Sequence, residues 1–263
     1  IPIALALGNA FVWKPSDKTP ITSLALAKAL QEAGLPDGVL TLVQGGKTAV
    51  ESILDHPDVA AVGFVGSSPV AKLVYQRGTQ NGKRVLALGG AKNHIILMPD
   101  ADPEIAYRGI TDSFTGCAGQ RCMAASVLVA VEGSEAILEQ VKKYAASLRP
   151  GKEMGAIITR ESLQRLQSEI ERAQKDGAQL ILDGRNPAVE ERFAGGNWLS
   201  PTLLDHVKPG TRAATVELFG PVLSIVRCKN LTEALTLEAM SPYGNATSVF
   251  TSSGAVAERV AQD

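Results

Sequence analysis

The stretch from Ala61 to Leu88, AVGFVGSSPVAKLVYQRGTQNGKRVLAL, decides the fold class of this chain. Two β-prone runs, Ala61 to Val65 and Arg84 to Leu88, enclose a helical pattern from about Pro69 to Arg77. Strands separated by helices at this spacing are typical of parallel βαβ units. The sequence therefore predicts an open α/β sheet.

The same alternation continues on both sides of this stretch. Upstream, the β-prone residues 11–13 lead to a helix that opens at Thr19-Pro20 and stops at Gly34, and a strand follows at 39–43. Downstream, helices are expected at 103–113, 134–148 and 161–176, and strands at 94–98, 126–131, 179–182, 222–227 and 248–251. The length of 263 residues is enough for one large or two ordinary domains, and no internal repeat or long linker occurs.

Composition and charge exclude several classes of protein. Of the 263 residues, 45% are hydrophobic and 20% are charged, which is typical of a soluble globular protein. A net charge of -1 gives no field for nucleic acid or an anionic membrane, so we expect neither as a partner. The odd number of cysteines, 3, favours a reducing compartment. No CxxC, HExxH or histidine cluster occurs, so no structural metal is expected.

A glycine-rich loop, Phe114 to Ser126 with the sequence FTGCAGQRCMAAS, is the predicted chemical centre. A thiol acts as a nucleophile when it is a thiolate, and cations and backbone N–H dipoles lower its pKa from roughly 8.5. Arg121 and the glycines would supply both to Cys122, and the small neighbours would let a carbonyl approach the sulfur. The alternative from the loop alone is a buried structural cysteine.

Polar residues also follow two of the strands in the first part of the chain. Ligands of open α/β sheets bind at the carboxyl ends of strands. There Lys14 and Asp17 could bind ribose hydroxyls, and Ser67 at a helix N-terminus could bind a phosphate. Taken alone, these residues favour an ordinary solvated turn with a helix cap over a ligand site.

Five motifs occur in the order found in the aldehyde dehydrogenase superfamily. They are VWKPSDKTP, FVGSS, LALGGAKNH, GQRC and ELFGPV. The resemblance runs from Ile1 to Asp263, and the combination of GGAKNH with GQRCMA is most similar to the CoA-acylating methylmalonate-semialdehyde dehydrogenases. It implies a partial Rossmann-like cofactor domain over residues 1–90 and an α/β catalytic domain of the aldehyde dehydrogenase fold over residues 91–263.

The resemblance also implies that this chain is part of something longer. Proteins of the superfamily carry a segment before the position of Ile1 and another after that of Asp263, so we expect a fragment. Full-length members form homo-oligomers, dimers or tetramers. The expected location is cytoplasmic, or the mitochondrial matrix in a eukaryote.

The resemblance assigns NAD as the cofactor and names its ligands in the first domain. Lys14 and Asp17 would bind the adenosine ribose, where Asp17 would repel a 2′-phosphate and so favour NAD over NADP. Lys18, also a cofactor-binding candidate, would soften that discrimination. Ser67 would face the pyrophosphate, and Gly89 would lie beside the nicotinamide, where a glycine permits close backbone approach.

In the second domain the resemblance assigns the chemistry. Glu217 would bind the nicotinamide ribose and Phe219 would pack on the nicotinamide. Cys122 would be the nucleophile that attacks a small-molecule aldehyde. Arg121 would bind the substrate carboxylate of malonate or methylmalonate semialdehyde, or would act only on the cysteine pKa.

The acyl acceptor is expected to be CoA. Hydrolytic relatives carry an ELGG motif whose Glu activates water, and Ala87 occupies that position in LALGG. A methyl group cannot accept a proton, so water-driven release of the acyl group loses its general base. The alternatives are a non-acylating dehydrogenase that releases a free acid and a truncated remnant that at most binds nucleotide.

Overall fold

The computed structural model describes residues 1–262. It divides into two compact units, the N-terminal unit, Ile1–Gly89, and the C-terminal unit, Gly90–Asp263. Both alternate strands and helices, which confirms the α/β class. No helix within the described residues is long and apolar enough to cross a bilayer.

The N-terminal unit contains two parallel strand pairs flanked by helices. Its elements are α1 Pro2–Ala6, β1 Phe11–Trp13, α2 Pro20–Glu32, β2 Leu40–Leu42, α3 Lys47–Asp55, β3 Ala61–Val65, α4 Ser68–Gln80 and β4 Arg84–Leu88. Strand β1 pairs with β2, and β3 pairs with β4, each in parallel. The predicted strands are present, but they form two separate two-stranded sheets rather than one sheet.

Packing in the N-terminal unit is one-sided. Along β3 and β4 the residues alternate between exposed and half-buried, as expected when only one face of a strand is covered. Helix α4 covers that face through Ala71 and Val74, joined by Leu54 of α3. At Gly78 a Cβ atom would lie 2.6 Å from the Val85 side chain, so only glycine allows α4 this close to β4.

The C-terminal unit is built on a six-stranded sheet. Its elements are β5 Asn93–Leu97, α5 Pro103–Thr115, β6 Ala125–Val131, α6 Glu135–Ser147, α7 Arg160–Lys175, β7 Gln179–Leu182, β8 Thr202–Asp205, α8 Arg212–Thr215, β9 Val222–Cys228, α9 Leu231–Ala239, β10 Thr247–Phe250 and α10 Gly254–Gln262. The strand order is β10-β5-β6-β9-β8-β7. All neighbouring strands are parallel except β7 and β8, which are antiparallel.

Both faces of this sheet are covered. Ile95 and Leu128 pack with α5 and α6 on one face, whereas Ile96 and Val129 pack with α7 and α9 on the other. All of β5 is buried, so its sequence reads as a continuous apolar run after the two polar residues that begin it. This three-layer core fixes the loops that enter the strands.

Three elements of the C-terminal unit were not predicted, namely β8, α8 and α9. The signal for α9 was present in the sequence, because Asn230 is its N-cap and accepts a hydrogen bond from the N–H of Glu233 at 3.0 Å. Strand β8 has four residues, and its burial depends on β9 and β7, which are distant in sequence.

Candidate active site

The loop that carries Cys122 connects α5 to the amino end of β6. Helix α5 starts at its N-cap Asp102, which accepts a hydrogen bond from the N–H of Ile105 at 3.0 Å. The predicted site residues Glu217 and Phe219 lie on the segment that enters the neighbouring strand β9. The candidate site of the C-terminal unit therefore lies at the amino ends of its strands.

The loop contains a left-handed turn that brings these two segments together. Cys117, Ala118 and Gly119 have φ values of 52°, 53° and 66°. A Cβ atom at Gly119 would lie 2.2 Å from the carbonyl oxygen of Gly220, so this close approach requires glycine. The turn therefore places the Cys122 loop directly against the segment of Glu217 and Phe219.

Four predicted site residues line one small pocket, namely Arg121, Cys122, Glu217 and Phe219. Glu217 accepts a hydrogen bond at 3.2 Å from the N–H of Ala91, which also lines the pocket. Phe219 is 41% exposed and has a φ of 56°, a region costly for a bulky residue. Residues nearly 100 positions apart in the sequence thus meet at one place.

Exposure separates the three cysteines. Cys122 is exposed, which excludes the alternative of a buried structural thiol. Cys228 is buried, and burial together with the charge of Glu233 raises its thiol pKa to about 11. Cys117, in the left-handed turn that follows α5, is exposed as well.

Arg121 makes contacts that the sequence did not predict. Its Nη2 donates to the carbonyl oxygens of Asp112 at 3.1 Å and Ser113 at 2.9 Å. These carbonyls belong to the last turn of α5, where a cation also interacts favourably with the helix dipole. A Cβ atom at Gly116 would lie 2.6 Å from Nη2, so this glycine admits the guanidinium. Arg121 both lines the pocket and holds the end of α5.

Gln120, the residue before Arg121, anchors the loop from its other side. Its Nε2 donates to the carbonyl oxygen of Ala156 at 3.1 Å, and its Oε1 accepts from the N–H of Ile158 at 2.9 Å. Both atoms of the amide group are used in bonds to one neighbouring segment. We infer that Gln120 has a structural role in the GQRC motif.

Two asparagines that bond the main chain of Cys122 were not assigned a role by the sequence. Asn93 begins β5, and its Nδ2 donates to the carbonyl oxygens of Cys122 and Ala124, each at 2.8 Å. Asn245, just before β10, donates to the same Cys122 oxygen at 2.9 Å and to Oδ1 of Asn93 at 3.1 Å. A spacing of 152 residues gives no sequence signal for this pair.

Lys92 lies between the pocket residues Ala91 and Asn93 and is only 2% exposed. Among the described residues its Nζ has no hydrogen-bond partner. Burial lowers its pKa to about 7, although the charges of Glu217 and Glu169 oppose this shift. Buried groups whose pKa values are strongly displaced occur most often at functional sites.

In the N-terminal unit, Lys14 and Asp17 meet at one turn. The Lys14 ammonium donates to the carbonyl oxygens of Gly45 at 2.8 Å and of Pro15. A carboxylate oxygen of Asp17 lies 3.4 Å from where a Cβ atom would sit on Gly46. Both residues therefore lie at the carboxyl ends of β1 and β2, beside the start of α3. Lys18 is exposed on the same turn, and its N–H donates to Ser16 Oγ at 3.2 Å.

Ser67 and Gly89 lie at the carboxyl ends of β3 and β4. Ser67 is the exposed N-cap of α4, and within residues 1–262 its hydroxyl makes no capping hydrogen bond to that helix. A Cβ atom at Gly89 would lie 3.0 Å from Ser68 Oγ, so this glycine contacts the first turn of α4. Ser67 and Gly89, the cofactor-binding candidates that follow β3 and β4, are therefore neighbours.

The C-terminal unit is an α/β fold whose sheet is covered on both faces. Its exposed Cys122 lies in a glycine-rich loop beside the segment of Glu217 and Phe219. Together, the fold and the pocket define an α/β protein with a candidate thiol site. The chain belongs to the aldehyde dehydrogenase family, whose sequence profile matches residues 1–263. This match confirms the family that the five motifs indicated.

Three proteins show what this chain is similar to within the family. The human mitochondrial acylating methylmalonate-semialdehyde/malonate-semialdehyde dehydrogenase is 40% identical over 99% of this chain, which covers 50% of the human protein. The crystal structure of methylmalonate-semialdehyde dehydrogenase from Oceanimonas doudoroffii has a TM-score of 0.95 and 40% identity, covering 100% of this chain and 55% of that one.

The third is a Sinorhizobium meliloti structure, complexed with NAD and described as a methylmalonate-semialdehyde dehydrogenase. It has a TM-score of 0.93 and 43% identity, covering 98% of this chain and 54% of that one. This chain thus spans about half the length of the relatives it matches.

Proposed function

We propose that the protein oxidises malonate semialdehyde or methylmalonate semialdehyde with NAD and passes the acyl group from Cys122 to CoA. The observation that carries the proposal is the exposed Cys122 in a pocket shared with Arg121, Glu217 and Phe219. The names of the relatives supply the substrate class and the acylating reaction.

The protein's own residues would perform the following roles. The Cys122 sulfur attacks the aldehyde carbon, and the resulting thiohemiacetal becomes a thioester when its hydride leaves. Arg121 carries a positive charge at the pocket, which suits a substrate that has a carboxylate at its other end. The thiol of CoA then takes the acyl group and restores the Cys122 thiol. With these substrates, loss of carbon dioxide gives acetyl-CoA or propionyl-CoA.

The residues present fit NAD, which accepts the hydride when it is bound. Lys14 and Asp17 lie together at strand ends, where an ammonium and a carboxylate can bind ribose hydroxyls. Ser67 begins the 13-residue helix α4, whose first turn has no acidic residue to repel a pyrophosphate. Gly89 has no side chain, so its backbone would allow close approach of the nicotinamide. Glu217 and Phe219 would contact the nicotinamide ribose and ring.

CoA is favoured as acceptor by the residues around LALGG. No Asp or Glu occurs from Arg84 to Pro99. The carboxylate that lines the pocket, Glu217, accepts a hydrogen bond from Ala91 and is assigned to the cofactor ribose. A water molecule that attacks the thioester would therefore lack a base from this segment.

The experiment is an NADH-release assay with malonate semialdehyde, with and without CoA, followed by mass spectrometry of the products. We expect a CoA thioester and a turnover rate that falls at least about tenfold without CoA. Free acid formed equally fast without CoA would contradict the acylating reaction. No NADH in either condition would contradict the dehydrogenase itself.

We propose a homo-oligomer in the full-length protein and a reducing compartment, either the cytoplasm or the mitochondrial matrix. Relatives named mitochondrial and relatives from bacteria support both locations. The exposed thiols of Cys117 and Cys122 fit a reducing environment. Light scattering of the full-length protein would test the oligomer.

A further inference from the structure

We propose that Asn93 and Asn245 are positioning residues that hold the main-chain carbonyl of Cys122 and thereby direct its thiol. The inference rests on the proposed role of Cys122 as nucleophile. It concerns two side chains that make no bond to the sulfur, so they would act through the backbone.

The first observation is that the Cys122 carbonyl oxygen has two donors. Asn93 Nδ2 lies 2.8 Å from it and Asn245 Nδ2 lies 2.9 Å from it. A carbonyl oxygen has two lone pairs, so these bonds saturate it. The orientation of the peptide group that follows the nucleophile is thereby fixed.

The second observation is that the two amide groups also fix each other. Asn93 uses both hydrogens of its Nδ2, on Cys122 and Ala124, and its Oδ1 accepts from Asn245. The amide of Asn93 would lose these bonds if it were flipped, because its oxygen cannot donate to a carbonyl. The network therefore has one arrangement, which is a condition for accurate positioning.

The third observation is the source of the two side chains. Asn93 is 5% exposed and begins β5, opposite Ala125 at the start of β6. Asn245 precedes β10, which pairs with the other edge of β5. Three adjacent strands of the buried sheet thus define where the Cys122 carbonyl lies, although the Cys122 side chain itself is exposed.

The physical consequence concerns attack geometry. A nucleophile must reach the reacting carbon within a narrow range of distance and angle, and a displacement of about 1 Å can cost roughly 100-fold in rate. Loss of the Asn245 donor would let the Cys122 peptide group move without changing the chemistry of the thiol. The expected signature is a lower kcat at an unchanged KM for NAD.

The test uses Asn245→Leu in the full-length protein, because leucine has a similar volume and no donor. Asn245 is exposed, so this variant is expected to fold. The matched control is Asn81→Leu, since Asn81 of the N-terminal unit donates to the carbonyl oxygen of Leu54 at 3.0 Å in the same type of bond. Asn93→Ala is a second variant that releases both Cys122 and Ala124, with thermal unfolding recorded for all three.

Two measurements are made on each variant. Hydrogen-deuterium exchange of the peptide covering residues 116–125 should rise at least about tenfold in Asn245→Leu and stay unchanged in Asn81→Leu. The kcat should fall between about 10- and 100-fold, with KM for NAD and the pH midpoint of Cys122 alkylation by iodoacetamide unchanged.

The outcomes separate the two proposals. Unchanged exchange in Asn245→Leu would overturn the positioning role whatever the activity, as would faster exchange with an unchanged kcat. A shifted alkylation midpoint that accounts for the whole rate loss would also overturn it, because the residue would then act on the thiol charge. A wild-type protein that releases no NADH would instead overturn the proposed function.

Discussion

The two units differ in how many faces of their parallel strands are covered. In the C-terminal unit every residue of β5 is buried, whereas β3 and β4 of the N-terminal unit alternate between exposed and half-buried residues. Val65, Leu86 and Leu88 are 65%, 63% and 49% exposed. The C-terminal unit therefore has its own two-sided core, and the N-terminal unit relies on one covered face.

This difference extends to the candidate sites. In the C-terminal unit, Cys122 is exposed but its backbone is tied to a buried sheet through Asn93. In the N-terminal unit, the candidates Lys14, Asp17 and Ser67 belong to turns at strand ends. On the proposed function, the nucleophile is tied to a buried sheet, whereas the proposed ribose and pyrophosphate ligands lie in turns at strand ends. The following variants test this division.

The largest effect is expected at the nucleophile. Cys122→Ala should lower kcat at least about 10⁴-fold, because it removes the proposed nucleophile. The matched control is Cys117→Ala, which removes an equally exposed thiol from the same loop and should keep kcat within about threefold. NADH release by both variants checks this, and equal losses would show that the loop rather than the Cys122 thiol matters.

The next effect compares two buried lysines, one in each unit. The pKa of Lys92 is about 7 in the folded protein against 10.5 as its ordinary value, because burial disfavours the ammonium. That difference corresponds to at most about 5 kcal/mol. At Lys92 the unfolded chain binds more protons between about pH 7 and 10.5, so the destabilising contribution of Lys92 falls with rising pH across this window. Lys92→Met should therefore be more stable than wild type below pH 7 and lose that advantage towards pH 10.5.

The control for this prediction is Lys83→Met in the N-terminal unit. Lys83 is 7% exposed, and its Nζ donates to the carbonyl oxygens of His56 and Val59 at 2.6 and 2.7 Å. Its removal leaves two acceptors without their donor, so we expect a loss of about 1–3 kcal/mol. Urea unfolding at pH 6 and pH 10 measures both variants. Loss of stability in both would contradict the account of Lys92.

A third prediction compares two ion pairs with the same geometry. Arg227 bonds both carboxylate oxygens of Asp205 at 3.0 and 2.7 Å, and Arg77 bonds those of Asp55 at 2.9 and 2.6 Å. The carboxyl side chains are 7% and 50% exposed respectively. Asp205→Ala should cost about 3 kcal/mol, because it leaves the half-buried Arg227 with only its longer ion pair to Glu135 at 3.6 Å among the described residues. Asp55→Ala should leave the unfolding midpoint unchanged within error.

The pH dependence of this comparison has a defined sign. Burial would raise the pKa of Asp205, but Arg227 and the N–H of His206 hold it below its ordinary value of 3.8. The carboxylate therefore contributes stability above that ordinary value, and this contribution is lost as the pH falls through the folded-state pKa. Equal costs of Asp205→Ala at pH 7 and pH 2 would contradict this assignment.

The smallest effect is expected at the cofactor turn. Asp17→Ala should raise the KM for NAD about tenfold and leave kcat within about threefold, since it removes a contact made equally in the ground and transition states. Lys28→Ala, on the exposed surface of α2, is a suitable control. A fall in kcat with an unchanged KM would place Asp17 among the residues that act in the chemical step.

The sequence predicted those parts of the fold that depend on local pattern. Strand β7 was predicted at its observed bounds, and the predicted helix 103–113 begins where α5 begins. The GQRC and ELFGPV motifs predicted residues that do line one pocket. Apolar runs and caps are local signals, so they can be read without knowledge of the tertiary structure.

The sequence could not predict contacts made by folding alone. The pairing of Asn93 with Asn245 depends on the adjacency of β5 and β10. The capping of α5 by Arg121 depends on a left-handed turn that includes the non-glycine Ala118. Lys92 lies in a quoted motif, yet only its burial shows that its pKa is displaced.

The most direct test of the central claim is to trap the acyl group on the protein. The full-length protein would be incubated with malonate semialdehyde and NAD in the absence of CoA, quenched in acid and mapped by peptide mass spectrometry. We expect the acyl mass on Cys122 and none on Cys117 of the same loop. An acyl group on Cys117, or NADH release through a Cys122 that is never modified, would contradict the account.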